Sequence, residues 1–394
     1  MTDRPLTGRN TIRNLILSFV GFILFACITG EKKEFTPDPK IIEETEVRPL
    51  QLGAEAPGFY LPGADGRFYK NSDFDRSKLL LVFFTCNHCP ESQMYEDQLI
   101  DLVDDYRRKK LQVVCISPNS PLAVLYEDLR YSDLNDDYNS MMIRAQVKEF
   151  NFPYLYDGDD HEVSLKFGPQ HTPHVFLFDS DRKLRYRGRP DEVLEPGKVN
   201  FKLVRDAVDA LLDDKEVNVK DTKTRGCDIK WAWQYEKKKK EDRWWFNRPV
   251  RIKDIDLESI KILLSNPTKK MLLLNFWASW CPPCKKEMPG IIEAYRMYYH
   301  DLELVTISID DHKDKEKALS VLKKFHFASS NYIYKDKSSS ELINSVKPFW
   351  NGSVPLTMLI EPGGELANMW YGPVTPYVLR RTIVNNKQMG RYRK

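Results

Sequence analysis

Two cysteine pairs carry the clearest chemical signal in this chain, Cys86-Asn87-His88-Cys89 and Cys281-Pro282-Pro283-Cys284. Two thiols with two residues between them can close a disulfide and open it again with little backbone movement. The expectation is that Cys86 and Cys281 each fall where a strand ends and a helix begins. There, unpaired amides and the helix dipole favour a thiolate. Cys89 and Cys284 then lie one helical turn on, placed to attack a mixed disulfide and release its partner. His88 sets a positive charge or a donor beside Cys86, whereas Pro282-Pro283 offers neither. The first site is therefore expected to be the more oxidising. A cysteine pair is also half of a zinc site, but zinc wants four ligands close together. The two pairs fall in different predicted domains, so no metal and no cofactor are expected.

The surrounding pattern supplies the elements that must hold these thiols. Each pair follows an apolar, β-prone run (79–85 and 271–279) and precedes a segment of helical periodicity. In the first unit, strands are expected at 78–85, 112–117 and 154–156, with a hairpin of 175–179 and 183–188. Helices are expected at 90–108, 141–150 and 201–212, with a polar excursion around 127–139. The second unit repeats the order: strands at 271–279, 302–309, 331–334, 356–361 and 366–371, helices at 283–299, 313–325, 341–346 and 376–384. A βαβ half followed by a ββα half predicts an α/β fold, two tandem thioredoxin-like domains, each a central mixed sheet flanked by helices. In that architecture a cis-proline faces the cysteines. Thr172-Pro173 and Val354-Pro355 stand at the expected place, and the cis form is open only to X–Pro bonds. Thr172 and Val354 would then offer backbone groups to an extended partner by strand addition. An ordinary trans-proline at a strand start is the alternative.

These residues carry a family resemblance. Residues 52–231 resemble AhpC/TSA-type redoxins with a CNHCP motif, through FFTCNHCP, FPYLYD, TPHVFLFD, YRGR and GCDIKW. Residues 270–385 are similar to TlpA/ResA-like thiol-disulfide oxidoreductases, through NFWASWCPPCKKEMP and Val354-Pro355. The resemblance implies an exported, membrane-tethered enzyme that reduces or exchanges disulfides of envelope proteins, apocytochromes among them, with a membrane thiol-electron donor. It departs in two respects: thioredoxin has a buried Asp six residues before its first active cysteine, where this chain has Leu80 and Asn275, and the Asp-rich excursion near Asp133–Asp137 is less regular than the resemblance implies. Cys227 accompanies the CNHC motif in the resembling family. It is either a third redox thiol or a cysteine without chemistry. Cys115, in an alternating apolar run, is expected to be buried and inert.

Two other functions stay open on the same fold. A thiol peroxidase would need PxxxTxxC, but Leu79 and Phe83 precede Cys86 at those spacings, and Leu274 and Ala278 precede Cys281. A copper-binding chaperone would use Cys86, Cys89 and one of His88, His171 or His174, since thiolates suit Cu(I).

The N-terminus reads as a targeting segment. Arg4, Arg9 and Arg13 precede an apolar stretch ending in Leu24-Phe25-Ala26-Cys27. Cys27 is expected to be lipidated as in a bacterial envelope lipoprotein, although an uncleaved anchor or a plain secretory signal fits as well. The expected plan is a signal at 1–27, a tether at 28–51, domains at 52–231 and 249–394, and a linker at 232–248. The linker is aromatic and basic, suiting either a membrane surface or docking on a neighbouring domain. The chain has 394 residues and a formal net charge of +3, which gives no reason to expect nucleic acid.

Overall fold

The apolar run at 79–84 has every residue buried and so can only be a central strand covered on both faces. The same holds for 271–277. A computed structural model builds one sheet around each. It describes residues 35–394 except 194, 196, 337–338, 347–349 and 390–394. The expected lipidation site at Cys27 lies outside the described residues. Among them, no helix is long and apolar enough to cross a membrane.

The first unit opens with a hairpin, β1 (Tyr60–Pro62) and β2 (Phe68–Lys70), and continues through β3 (Leu79–Phe84), α1 (Pro90–Met94), α2 (Glu96–Tyr106) and β4 (Leu111–Ser117). Then come α3 (Tyr138–Val147), β5 (Tyr154–Tyr156), α4 (Glu162–Phe167), β6 (His171–Thr172), β7 (His174–Phe178), β8 (Leu184–Gly188), α5 (Lys202–Leu212) and β9 (Cys227–Asp228). The main sheet runs β5-β4-β3-β7-β8. Strands β3, β4 and β5 are parallel, and β7 and β8 turn the sheet antiparallel. Strand β9 pairs only with β6.

The second unit contains α6 (Tyr235–Phe246), β10 (Lys253–Ile255), α7 (Leu257–Leu264), β11 (Met271–Trp277), α8 (Pro282–Met297), β12 (Leu302–Ser308) and α9 (Lys315–Lys324). It ends with β13 (Ser330–Tyr334), α10 (Ser339–Val346), β14 (Leu356–Ile360), β15 (Leu366–Tyr371) and α11 (Pro376–Asn385). Its sheet order is β10-β13-β12-β11-β14-β15, parallel from β10 to β11 and antiparallel beyond. The chain is thus two tandem thioredoxin-like units, each a mixed sheet flanked by helices.

One sequence expectation changes here, and two segments left open gain a structure. The helix expected at 90–108 is two helices that meet at Tyr95, whose buried ring packs edge-on against Phe201 at 5.0 Å. The linker contains helix α6. Its Trp245 is 3% exposed and packs against Tyr126, Tyr295 and Tyr299, so this side chain docks, while Trp244 and Phe246 stay about half exposed. The described part of the tether runs along the first unit, with Lys40 N–H donating to Asp159 O and Leu50 N–H to Phe167 O.

The polar excursion joins the two units. Val124 and Leu129 enter the core built around α8. Arg130 pairs with Asp301 at 2.5 Å, and the Tyr298 hydroxyl donates to Ser132 O at 2.6 Å. Asn135 donates to Glu293 and accepts from Arg380.

Candidate functional site

At the second pair, β11 delivers the chain to the sheet's end and Cys281 becomes the N-cap of α8. Its Sγ accepts from the Cys284 amide at 3.2 Å. Proline at the first helical position removes an amide that would have had no partner. Cys281 thus stands at the helix N-terminus that the spacing predicted. Cys281 and Cys284 are joined by a disulfide. The Val354–Pro355 bond is cis, and Val354 O lies 3.6 Å from Cys281 Sγ. Both cysteines are buried, whereas the neighbouring Trp280 is 64% exposed.

One functional group here escaped the sequence reading. Asn275, standing where thioredoxin has its carboxylate, donates to Glu287 Oε1 at 2.9 Å, and Val374 N–H donates to Glu287 Oε2 at 2.9 Å. Burial pushes the Glu287 carboxyl up to about 7 despite those two hydrogen bonds. Glu287 follows Cys284 by one helical turn and shares a buried stripe with Cys284, Met288 and Ile291. The carboxyl thus comes from the helix rather than the strand. A lone acid inside an apolar stripe was the available signal.

The first pair is built differently. Helix α1 starts at Pro90, after the whole motif, so Cys89 is the N-cap and Cys86 lies in the preceding turn. The helix begins at Pro90 as expected, and Cys86 stands in the turn ahead of it rather than at the helix end. The excursion pins the intervening dipeptide. Asn87 Nδ2 donates to Asn135 O at 2.7 Å, and His88 N–H donates to Asp136 Oδ1 at 3.0 Å. His88 Nδ1 forms a short bond with Asp136, which also accepts from Asn119. Burial alone would strip the charge from His88, but Asp136 holds its pKa above the ordinary value.

Around this turn three thiols converge. Cys86 Sγ lies 3.5 Å from His88 Nδ1 and 3.2 Å from Thr172 Oγ1. Cys89 Sγ lies 2.9 Å from Thr172 O, and the Thr172–Pro173 bond is cis. Sγ of Cys89, Sγ of Cys227 and an oxygen of Glu91 all lie within 4.8 Å of one another. The thiols titrate as a set. Burial opposes ionisation of Cys89. Hydrogen bonds from Cys227 and Cys86, the charge of His88 and the Ser92 amide outweigh it and hold Cys89 well below the ordinary thiol range. Burial pushes Cys86 well up, and Cys227 rises chiefly because its proton serves Cys89. One thiolate forms readily in the trio, centred on Cys89 rather than on Cys86.

The remaining sequence candidates separate. Thr172 does not offer a free edge, because β9 already pairs with it, Thr172 opposite Cys227 and His171 opposite Asp228. His174 is a core histidine that accepts from Gln170 N–H, and burial lowers its pKa to about 3. His171 bonds to Thr224. Neither histidine joins the sulfurs, so of the three considered for copper only His88 stands beside one. Cys115 is buried in β4, and burial pushes its thiol well up.

The fold and the Cys281–Cys284 disulfide define a thiol-disulfide oxidoreductase. Comparison with known proteins agrees. Residues 52–187 match the AhpC/TSA family and residues 269–366 a thioredoxin-like family. The thiol-disulfide oxidoreductase ResA of Geobacillus kaustophilus is 30% identical over 135 residues, 34% of this chain and 72% of that protein. The sporulation thiol-disulfide oxidoreductase A of Bacillus subtilis is 29% identical over 131 residues, 33% of this chain and 74% of that protein. The crystal structure of a hypothetical protein from Sinorhizobium meliloti 1021 is 32% identical, covering 48% of this chain and 98% of that one, with a TM-score of 0.42. The chain belongs to the ResA family of thiol-disulfide oxidoreductases.

Proposed function

We propose that this enzyme is exported and acts on disulfides of cell-envelope proteins, apocytochromes among them, from a lipid anchor at Cys27. The second site is read as the one that meets clients. The observation that carries this reading is the capped Cys281–Cys284 pair beside the cis Val354–Pro355 bond, with Trp280 exposed next to it.

The reaction follows from the cap. The reduced Cys281 thiolate attacks one sulfur of the client disulfide, forming a mixed disulfide and expelling the other client sulfur as a thiol. Cys284 then attacks Cys281 Sγ, closing Cys281–Cys284 and releasing the second client thiol. Two electrons pass to the client, and a membrane thiol donor returns them. Glu287 is positioned to take the Cys284 proton, since a carboxyl near 7 accepts and releases protons at neutral pH.

Insulin reduction by the full chain tests this. Wild type should turn over with dithiothreitol as donor, Cys281→Ser should abolish activity, and Cys284→Ser should trap a mixed disulfide. Wild-type activity no higher than dithiothreitol alone, with both pairs reduced, overturns the reading. Labelling with a lipid precursor in a bacterial host tests the anchor, and should be lost in Cys27→Ala.

A further inference from the structure

We propose that the first site is a three-thiol centre in which Cys89 is shared between two alternative disulfides, Cys86–Cys89 and Cys89–Cys227, with Cys227 carried on a strand that occupies the place of a client.

Several independent features converge on this arrangement. In this fold an extended partner would pair with the residue before the cis-proline. Here the chain's own β9 does so, and the register sets Cys227 opposite Thr172, whose carbonyl lies 2.9 Å from Cys89 Sγ. The approach is closer than any side chain permits. Gly226 has φ +136°, and a Cβ there would stand 2.0 Å from Thr172 O. The tail is fastened beyond Cys227 as well. Lys230 N–H donates to Asn119, Lys230 Nζ pairs with Asp128 at 2.7 Å, and Ala232 N–H donates to the buried His161. Asn119 also donates to Asp136, so one side chain ties the tail to the bracket of the CNHC turn. Cys86 and Cys89 are 2% and 0% exposed, while Cys227 is half-buried. Cys227 is therefore the sulfur through which the buried pair reaches an outside disulfide.

The exchange balances within the trio. A client disulfide oxidises Cys89 and Cys227 to a disulfide and leaves as two thiols. Cys86 then gives up its proton and attacks Cys89 Sγ. The Cys86–Cys89 bond forms, the Cys89–Cys227 bond breaks, and Cys227 leaves as a thiolate that takes up the proton lost by Cys86. The oxidation level is unchanged in this second step, and Cys227 is free again.

This inference rests on the reading of the chain as a disulfide-exchange enzyme, but its test does not use the second site. The full-length Cys281→Ser/Cys284→Ser chain is oxidised with glutathione disulfide, trapped in acid, alkylated and digested with trypsin. With Cys86→Ser added, a disulfide should link the peptide of residues 79–107 to that of residues 226–230. With Cys227→Ser instead, the oxidised product should be confined to residues 79–107, and its formation with oxidised insulin should slow roughly tenfold or more, the signature of a lost entry thiol. Cys115 should resist alkylation until the protein is denatured, reporting that each variant is folded. Separate glutathione adducts on Cys89 and Cys227 in a folded Cys86→Ser chain overturn the proposal. So does an unchanged oxidation rate by insulin in Cys227→Ser, and so does a stoichiometric metal that keeps both thiols reduced.

Discussion

At the scale of single residues, each cysteine pair has a buried ionisable side chain close to it in sequence, Glu287 one helical turn after Cys284 and His88 between Cys86 and Cys89. Glu287 is held neutral into the physiological range by burial. A carboxyl whose folded pKa lies above its unfolded one binds a proton more tightly when folded. Stability is therefore fully present below 4.5 and falls as pH rises through about 7. Glu287→Gln should flatten that slope, which amounts to a difference on the order of 2–3 kcal/mol, and urea unfolding midpoints across this range measure it. The absolute stability of the variant is a poor readout, because the amide cannot accept from both Asn275 and Val374. His88 has the opposite charge and the same direction of shift. Its contribution is present below the unfolded value and is lost as pH rises through the elevated folded value, when the cation that supports the Cys89 thiolate disappears. His88→Asn should slow alkylation of the first site at neutral pH and lower its reduction potential. Every 30 mV of that shift corresponds to about 1.4 kcal/mol of lost thiolate stabilisation. An unchanged potential would remove His88 as the reason for a more oxidising first site.

Among the elements, α6 is the one whose energetic weight is most at odds with its composition. It carries Lys237–Lys240 and presents no regular apolar stripe, and its aromatics left a membrane surface and docking on a neighbouring domain both open. Trp245 nevertheless lies at 3% exposure among Tyr126, Tyr295 and Tyr299, joining the excursion of the first unit to α8 of the second. Trp245→Ala should cost about 3–5 kcal/mol, read by thermal or denaturant unfolding, whereas a solvated linker would tolerate the change. This contrast shows what was legible in the sequence. Strands β3, apolar throughout, and β11, apolar but for Asn275, lead straight into the cysteines, so both sheets and both pairs could be placed. The helix start at Pro90 could be placed too. The bracket over the first pair could not, because Asn135 and Asp136 reach back over a large sequence separation to hold Asn87 and His88. Two-residue strands such as β6 and β9 have no periodicity to detect, so the occupied edge at Thr172 had no local signature. Gly226 was the single hint, as a residue free to adopt the backbone that close approach requires.

For the molecule as a whole, α8 is the element that relates the two centres. Cys281 caps its first turn, and Tyr298 closes its last. From that far end the Tyr298 hydroxyl grips Ser132 O. The Ser132 hydroxyl in turn reaches Asn87 O at 3.1 Å, beside the first cysteine pair. Sixteen residues of helix span on the order of 24 Å, so the sulfurs at the start of α8 are far from contact with those bracketed near its end. The coupling on view is structural: the second unit keeps the bracket around His88 in place. Removing the grip should loosen one centre and spare the other. Tyr298→Phe leaves the Ser132 carbonyl without its donor, at a cost of about 1–3 kcal/mol. Arg130→Ala removes the partner of Asp301 a few residues away. The double variant should lose reactivity at Cys89, followed by timed alkylation and peptide mapping, while the Cys281–Cys284 potential stays at its wild-type value. Its heat unfolding should separate into two transitions where the parent chain shows one. Equal loss at both pairs would mean that the substitutions merely destabilise the fold, and no loss at Cys89 would mean that the first unit holds its bracket unaided.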